Sequence, residues 1–275
     1  VLCSDAFAQC EQFADPTSEL RIMAPKKSNK DKDAAGVSLT TPLSQRAVSL
    51  GTLLDFTWEH GAWDMPTYKV VQDIIVPATA ELKKPYISHL SPEDSGKVSV
   101  FLSHAWSNPF GLVVAAARKY ISDSKHNSSE CFFWLDIFAI TQHGGLFQSE
   151  ELAQLEETVL AADLTLVILD ECTGIPLRRI WCIFEIFVTL DQGVYGKLKV
   201  RVGGVSSTGD FLPCIDGDVL RRLAESVDVQ SADATVASDR EVILARISSM
   251  LTGESRVGID EVNRKLRRAV RQGWS

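Results

Sequence analysis

The 275-residue chain contains no run of about 18 uncharged apolar residues, the length a helix needs to cross a bilayer, so no membrane span is expected. Its first twenty residues lack a basic segment leading into a continuous apolar core, and a secretory signal is not expected either. Positive charge is in deficit. With 28 Lys and Arg against 36 Asp and Glu, the formal net charge is −8, which argues against nucleic acid as a partner because phosphate binding needs a concentrated basic surface. There is no Cys-x-x-Cys pair, and the spacing of six cysteines and five histidines matches no zinc ligand set, so no metal is expected. A Gly-x-Gly-x-x-Gly or Walker cradle is missing as well. Tight binding of a dinucleotide as a resident redox cofactor is therefore not expected, and no cofactor is assigned. No internal repeat is present.

What remains is ample for a packed core: 45% of the residues are hydrophobic, and the length suits one large or two small domains. The cysteines (Cys3, Cys10, Cys131, Cys172, Cys182, Cys214) are scattered, and three fall in or beside apolar segments. Free thiols in a reducing, cytoplasmic setting are expected. The sequence begins at Val1, and Met23-Ala24-Pro25-Lys26-Lys27 is a candidate start. Residues 1–40 read as a flexible tail, with 24–38 rich in Lys, Asp, Ser and Ala. Residues 41–95 read as a helical preface that packs on the main domain through Trp58, Trp63 and Tyr68. Within it a helix is predicted from Thr67 to Ile75, stopped by Pro77.

From residue 96 to 250 the pattern is α/β. Apolar runs at 98–102, 131–135, 164–169, 198–202 and a weaker one at 227–229 alternate with helices expected at 110–122, 150–162, 177–191 and 217–225. Strands apolar on consecutive residues are buried on both faces, which with intervening helices means a parallel sheet covered on both sides. The expected architecture is a flavodoxin-like, doubly wound, five-stranded parallel sheet in the order 2-1-3-4-5. Ser238 with Glu241 suggests a capping box opening a further helix that ends near Gly253. Residues 251–275 hold a C-terminal amphipathic helix, its basic face (Arg264, Lys265, Arg267, Arg268, Arg271) opposite Val262, Leu266, Ala269 and Val270.

Ligands of such sheets bind beyond the carboxyl ends of the strands, a rule that groups distant residues. Ser103, His104 and Trp106 follow the first strand, Asp136 ends the second ahead of a loop through Gln142, His143, Gly144 and Gly145, and Asp170 ends the third. Asp136 and Asp170 have a plainer explanation as loop caps, and His104 as a satisfied rim histidine. Glu185 is the anomaly. It interrupts the apolar run from Ile180 to Leu190, four residues after Trp181 and on the same helical face. An ionised glutamate there costs several kcal/mol unless paired or opened to a cleft. Two readings stand open: a carboxylate against an indole wall that stabilises positive charge on a sugar ring, and a buried ion pair with Arg178.

The motifs Phe101-Leu102-Ser103-His104-Ala105-Trp106, Trp134-Leu135-Asp136 and Trp181-Cys182-x-x-Glu185 follow one another in this order. In them the chain resembles a Toll/interleukin receptor (TIR) domain over about residues 96 to 250, closest to the TIR-like domains of plant immune receptors and of single-celled eukaryotes. The resemblance implies hydrolysis of NAD at the nicotinamide–ribose bond, releasing nicotinamide and ADP-ribose or a cyclised form, in signalling or in an immune or stress response. It places the catalytic glutamate at Glu185, a substrate-binding set at Ser103, His104, Trp106, Asp136, Gln142 and Trp181, and a mobile access loop at 137–149. NAD enters as substrate. The chain departs from some active members in having Ala105 and Trp106 where they carry arginines. Self-association through TIR–TIR contacts is implied, with other protein partners open. The alternative function is a non-catalytic TIR-like interaction or scaffold module. A Ser103–His104 or Cys182–His hydrolase is set aside, since adjacent strand residues point to opposite faces and Cys182 has no orienting partner in sequence.

Overall fold

The computed structural model describes residues 40–124, 130–144, 154–191, 195–235, 237–250 and 258–274. The expected tail, Cys3, Cys10, Gly145, Gly253 and most of the second half of the access loop lie outside them. Residues 35–275 form one compact unit. Among the described residues no helix is long and apolar enough to cross a membrane. The thiols of Cys131, Cys182 and Cys214 are free.

The core of the unit is a mixed, mostly parallel seven-stranded sheet. Its strands are β1 (Ala47–Ser49), β2 (Ser95–Gly96), β3 (Val100–Ser103), β4 (Phe132–Trp134), β5 (Leu164–Asp170), β6 (Leu198–Val205) and β7 (Phe211–Pro213), in the order β2-β1-β4-β3-β5-β6-β7. The four central strands β4-β3-β5-β6 are parallel, and β1, β2 and β7 join antiparallel at the flanks. Around it lie the helices α1 (Leu50–Glu59), α2 (Phe110–Ser124), α3 (Asp136–Ala139), α4 (Leu155–Ala161), α5 (Ile180–Asp191), α6 (Gly217–Glu225), α7 (Ala237–Met250) and α8 (Ile259–Gln272), with a further short helical stretch at Thr67–Ala78.

The two-residue period of a strand sorts side chains onto two cores. Phe101, Trp134, Val167 and Leu169 face α5, α7 and α8, where Ile183, Ile247 and Leu266 are buried. Val100, Leu102, Phe133 and Ile168 face α1 and α2, with Leu53, Phe56 and Val113. Phe101 and Trp134, register partners on β3 and β4, stack with centroids 4.6 Å apart. Each fully buried aliphatic or aromatic side chain of this kind contributes about 1.5–3 kcal/mol.

The α/β class holds, but the fifth parallel strand does not. Residues 227–229 form no strand; Val229 N–H is taken by Asn263 Oδ1 of α8 at 2.9 Å, while Asn263 Nδ2 donates to Asp228 at 3.1 Å. The seat beside β6 is filled instead by the antiparallel β7 at Gly203–Val205 and by the chain end, where Val200 N–H donates to the Gly273 carbonyl at 2.7 Å. Gly203 permits the first of these contacts, because a Cβ there would sit 2.0 Å from the Leu212 carbonyl oxygen.

Two helix limits also differ from expectation. Pro77 does not stop its helix: Thr67–Val70 passes through a widened π turn, Val71–Ile75, into Val76–Ala78, and the widening eases the proline ring's conflict with the carbonyl four residues back. Ser238 lies inside the first turn of α7, which begins at Ala237, and so is not its cap.

Residues 41–95 are built into the sheet through β1 and β2. Arg46, buried, donates to the carbonyls of Thr41 and Ala139, and the Trp134 indole donates to the Leu43 carbonyl at 3.0 Å. Thr141 and His143 bond Lys83 and Thr79 respectively. The segment that carries Asp136 is thus held by the preface from both sides.

Candidate functional site

The carboxyl ends of β3 and β4 and the first turns of α5 and α7 enclose a cleft of about 470 Å³. Strand alternation turns Ser103, like Phe101, toward α5. Glu185 meets it there: Ser103 Oγ donates to Glu185 Oε2 at 2.5 Å. On α5, Trp181, Cys182 and Glu185 share a face at i, i+1 and i+4, and all three line the cleft. The same helix continues in a polar stripe, with Thr189 Oγ1 donating to the Glu185 carbonyl at 2.8 Å and contacting Thr165 Oγ1 at 2.7 Å.

Glu185 is partly buried. Burial pushes its carboxyl up to about 8; the Ser103 hydrogen bond pulls the other way, and the Asp136 charge adds to the rise. No cation contributes. Arg178 is exposed and sits in the 3₁₀ turn Ile175–Arg178, ahead of α5, so the helical register that would have placed it beside Glu185 does not exist. The ion-pair reading of Glu185 is thereby overturned.

Asp136 opens α3, where its Oδ1 accepts from the Ile137 N–H at 2.8 Å and its Oδ2 from the Trp106 indole at 2.7 Å. Gln142 folds its amide back onto the carbonyls of Asp136 and Ile140, at 3.3 and 3.0 Å. His104 is 7% exposed and lines the cleft. Burial lowers its pKa, against smaller opposing effects from Asp136 and from a hydrogen bond to the Leu102 backbone. The imidazole is therefore neutral. Its Nε2 is buried without a hydrogen-bond partner among the described residues. Cys182 is buried, its thiol donating to the His104 carbonyl at 3.3 Å and raised well above its ordinary pKa by that burial, so it is not a nucleophile.

Six of the seven residues expected from sequence (His104, Trp106, Asp136, Gln142, Trp181 and Glu185) line this cleft, and the seventh, Ser103, touches it through Glu185. Asp170 does not join them. Its carboxylate caps the following turn, accepting from the backbone of Cys172 and Thr173 and from the Thr173 hydroxyl. His143 instead ties the loop to Thr79 at 2.8 Å. Sequence reasoning missed Arg179, Thr235 and Asp239, which form the far wall. Asp239 accepts from the Trp181 indole at 3.1 Å and so ties the ring to this wall. The segment before α7 reaches this wall by backbone pairing, Ile180 N–H to the Asp233 carbonyl at 2.9 Å and Asp233 N–H to the Arg178 carbonyl at 2.7 Å. A cation beside the apolar run was the available signal, and it was spent on Arg178.

A scan against family models matches none, and neither a curated protein nor a solved structure is significantly similar to the chain.

Proposed function

We propose that this chain is a TIR-like NAD glycohydrolase with Glu185 as its catalytic residue. The observation that supports it best is a carboxyl group that faces a cleft without a cationic partner, its pKa raised by burial and by Asp136. Such a group is costly to ionise alone and cheaper to ionise beside a positively charged ligand. The nicotinamide riboside half of NAD is such a ligand. In the reaction the bond from ribose C1′ to the pyridinium nitrogen breaks, its electron pair passing to the ring to give neutral nicotinamide. The cationic character left on the sugar is stabilised by the Glu185 carboxylate, and water adds to C1′ with release of a proton. Ser103 orients the carboxylate, Trp181 walls the cleft, and the bare Nε2 of His104 accepts a hydrogen bond from substrate or water.

The active form of Glu185 is the ionised one, so kcat/KM is expected to rise with pH and level off above about 8. Ser103→Ala removes the hydrogen bond that lowers this pKa. The variant is therefore expected to be slower than wild type at pH 7 and to recover toward it at higher pH. Nicotinamide release followed by chromatography from pH 6 to 9.5 checks both, and a flat profile in either protein contradicts the assignment. Self-association belongs to this reading, and activity per protomer should rise with protein concentration. Wild type that releases no nicotinamide at any concentration leaves the interaction-module function in front.

A further inference from the structure

The cleft contains a cation to which the reaction above gives no part. Arg179 lies between the 3₁₀ turn and α5, half-buried, with its side chain on the cleft wall. Its backbone is fixed by a bridge to Asp233 and by an N–H bond to the Pro176 carbonyl at 3.3 Å. The guanidinium donates to the Thr235 hydroxyl, a neutral partner. Other arginines of the fold pair with carboxylates: Arg118 with Asp210, Arg201 with Asp123, Arg246 with Glu156. Among the described residues Arg179 has no such pair, although Asp136, Glu185 and Asp239 line the same cleft.

The positions of the charges matter more than their number. Arg179 acts on the Cys182 thiol, one turn along, and holds its pKa down against the larger effect of burial, but it is not among the groups that set the Glu185 pKa. Cation and acid both line the cleft, and the guanidinium bonds Thr235 and not the carboxylate. Arg179 stands just ahead of the first residue of α5, and Glu185 lies five residues further along the helix, about 7.5 Å of rise beyond its start. In a nicotinamide dinucleotide the ribose C1′ and the pyrophosphate are separated by the sugar ring and one methylene, a span that fits between the two groups. A guanidinium with hydrogen-bond capacity left over is also the group best shaped to take a phosphate through two parallel bonds.

We infer that Arg179 binds the pyrophosphate of the substrate, with the Thr235 hydroxyl beside it, and that it makes this cleft selective for phosphorylated nicotinamide ribosides. The inference rests on the NAD-cleaving reading for its substrate, but binding tests it separately. ADP-ribose binding is measured by calorimetry on wild type, Arg179→Ala and Arg179→Lys, with melting curves to show that each is folded. Steady-state cleavage is measured on NAD and on nicotinamide riboside, which has no phosphate. Loss of a charged hydrogen bond predicts ADP-ribose binding weaker by about 10- to 100-fold in Arg179→Ala. KM for NAD should rise by a similar factor with kcat nearly unchanged and riboside cleavage unaffected. Arg179→Lys, which keeps the charge and loses the fork, should fall between, and it serves alone if the alanine variant does not fold. Unchanged ADP-ribose binding in both Arg179 variants, an equal loss on the riboside, or a wild type that does not bind ADP-ribose overturns the inference. A wild type that binds ADP-ribose through Arg179 yet cleaves no NAD refutes the proposed reaction and leaves the anion site standing.

Discussion

Glu185→Gln is expected to abolish NAD cleavage, by on the order of 10³-fold, while making the protein more stable at alkaline pH. Glutamine preserves the shape and the hydrogen bond with Ser103 but removes the charge on which the proposed reaction depends. The sign of the stability change follows from the pKa. In the folded protein the carboxyl titrates near 8 instead of 4.5, so between those values the folded state holds a proton that the unfolded state has released. Stability of the wild type therefore falls as pH rises through this window, and the group's cost is fully present only above about 8. Glutamine has no proton to lose. The two proteins should melt together near pH 4, and the variant should lead by roughly 3 kcal/mol at pH 9, a figure that allows for water reaching the cleft. That gap corresponds to about 6–12 °C in Tm for a unit of this size. A variant that is less stable than wild type at pH 9 would mean that the carboxylate is held by a cation after all. One that is stable and still cleaves NAD at the wild-type rate would remove Glu185 from catalysis.

Much of this site was legible because it depends on short-range rules. The alternation of Phe101 and Ser103 along β3, the four-residue step from Trp181 to Glu185 and the placement of Asp136 after β4 are set by local period and by the strand-end rule. The far wall was not legible, because Thr235 and Asp239 reach the cleft by backbone pairing of Asp233 with residues 178 and 180, and carbonyl–amide pairing leaves no mark in side-chain pattern. Arg178 and Arg179 exchanged roles for a related reason. An expected helix over 177–191 places Arg178 two turns before Glu185, whereas a 3₁₀ turn ending at Arg178 rotates it out to solvent and turns Arg179 into the cleft. The fifth strand failed by the same logic. Val227 and Val229 are buried as the apolar pattern requires, but against α8 and not beside β6, and a three-residue apolar run is equally compatible with both seats.

The preface offers the second large effect, through Phe138. This side chain is wholly buried two residues after Asp136, with its ring 5.0 Å from Phe56, 5.1 Å from Tyr86 and 6.3 Å from Phe110. Phe56 and Tyr86 belong to the preface, and Phe110 begins α2 on the main sheet, so the cluster joins the two through edge-to-face contacts. Phe138→Ala should cost about 3–5 kcal/mol, because the three remaining large rings cannot close over the space left behind. Denaturant unfolding would read this as a lower midpoint with little change in slope. The consequence for the site follows from the shortness of α3: with a single turn to anchor it, Asp136 depends on Phe138 and on the Arg46–Ala139 bond for its position under the Trp106 indole. Measured at a temperature where the variant is still folded, NAD cleavage should therefore fall along with stability, whereas Phe138→Leu, which fills most of the space, should retain much of both. A loss of less than 1 kcal/mol in Phe138→Ala, or full activity in a strongly destabilised variant, would show that the preface does not position Asp136 through this cluster.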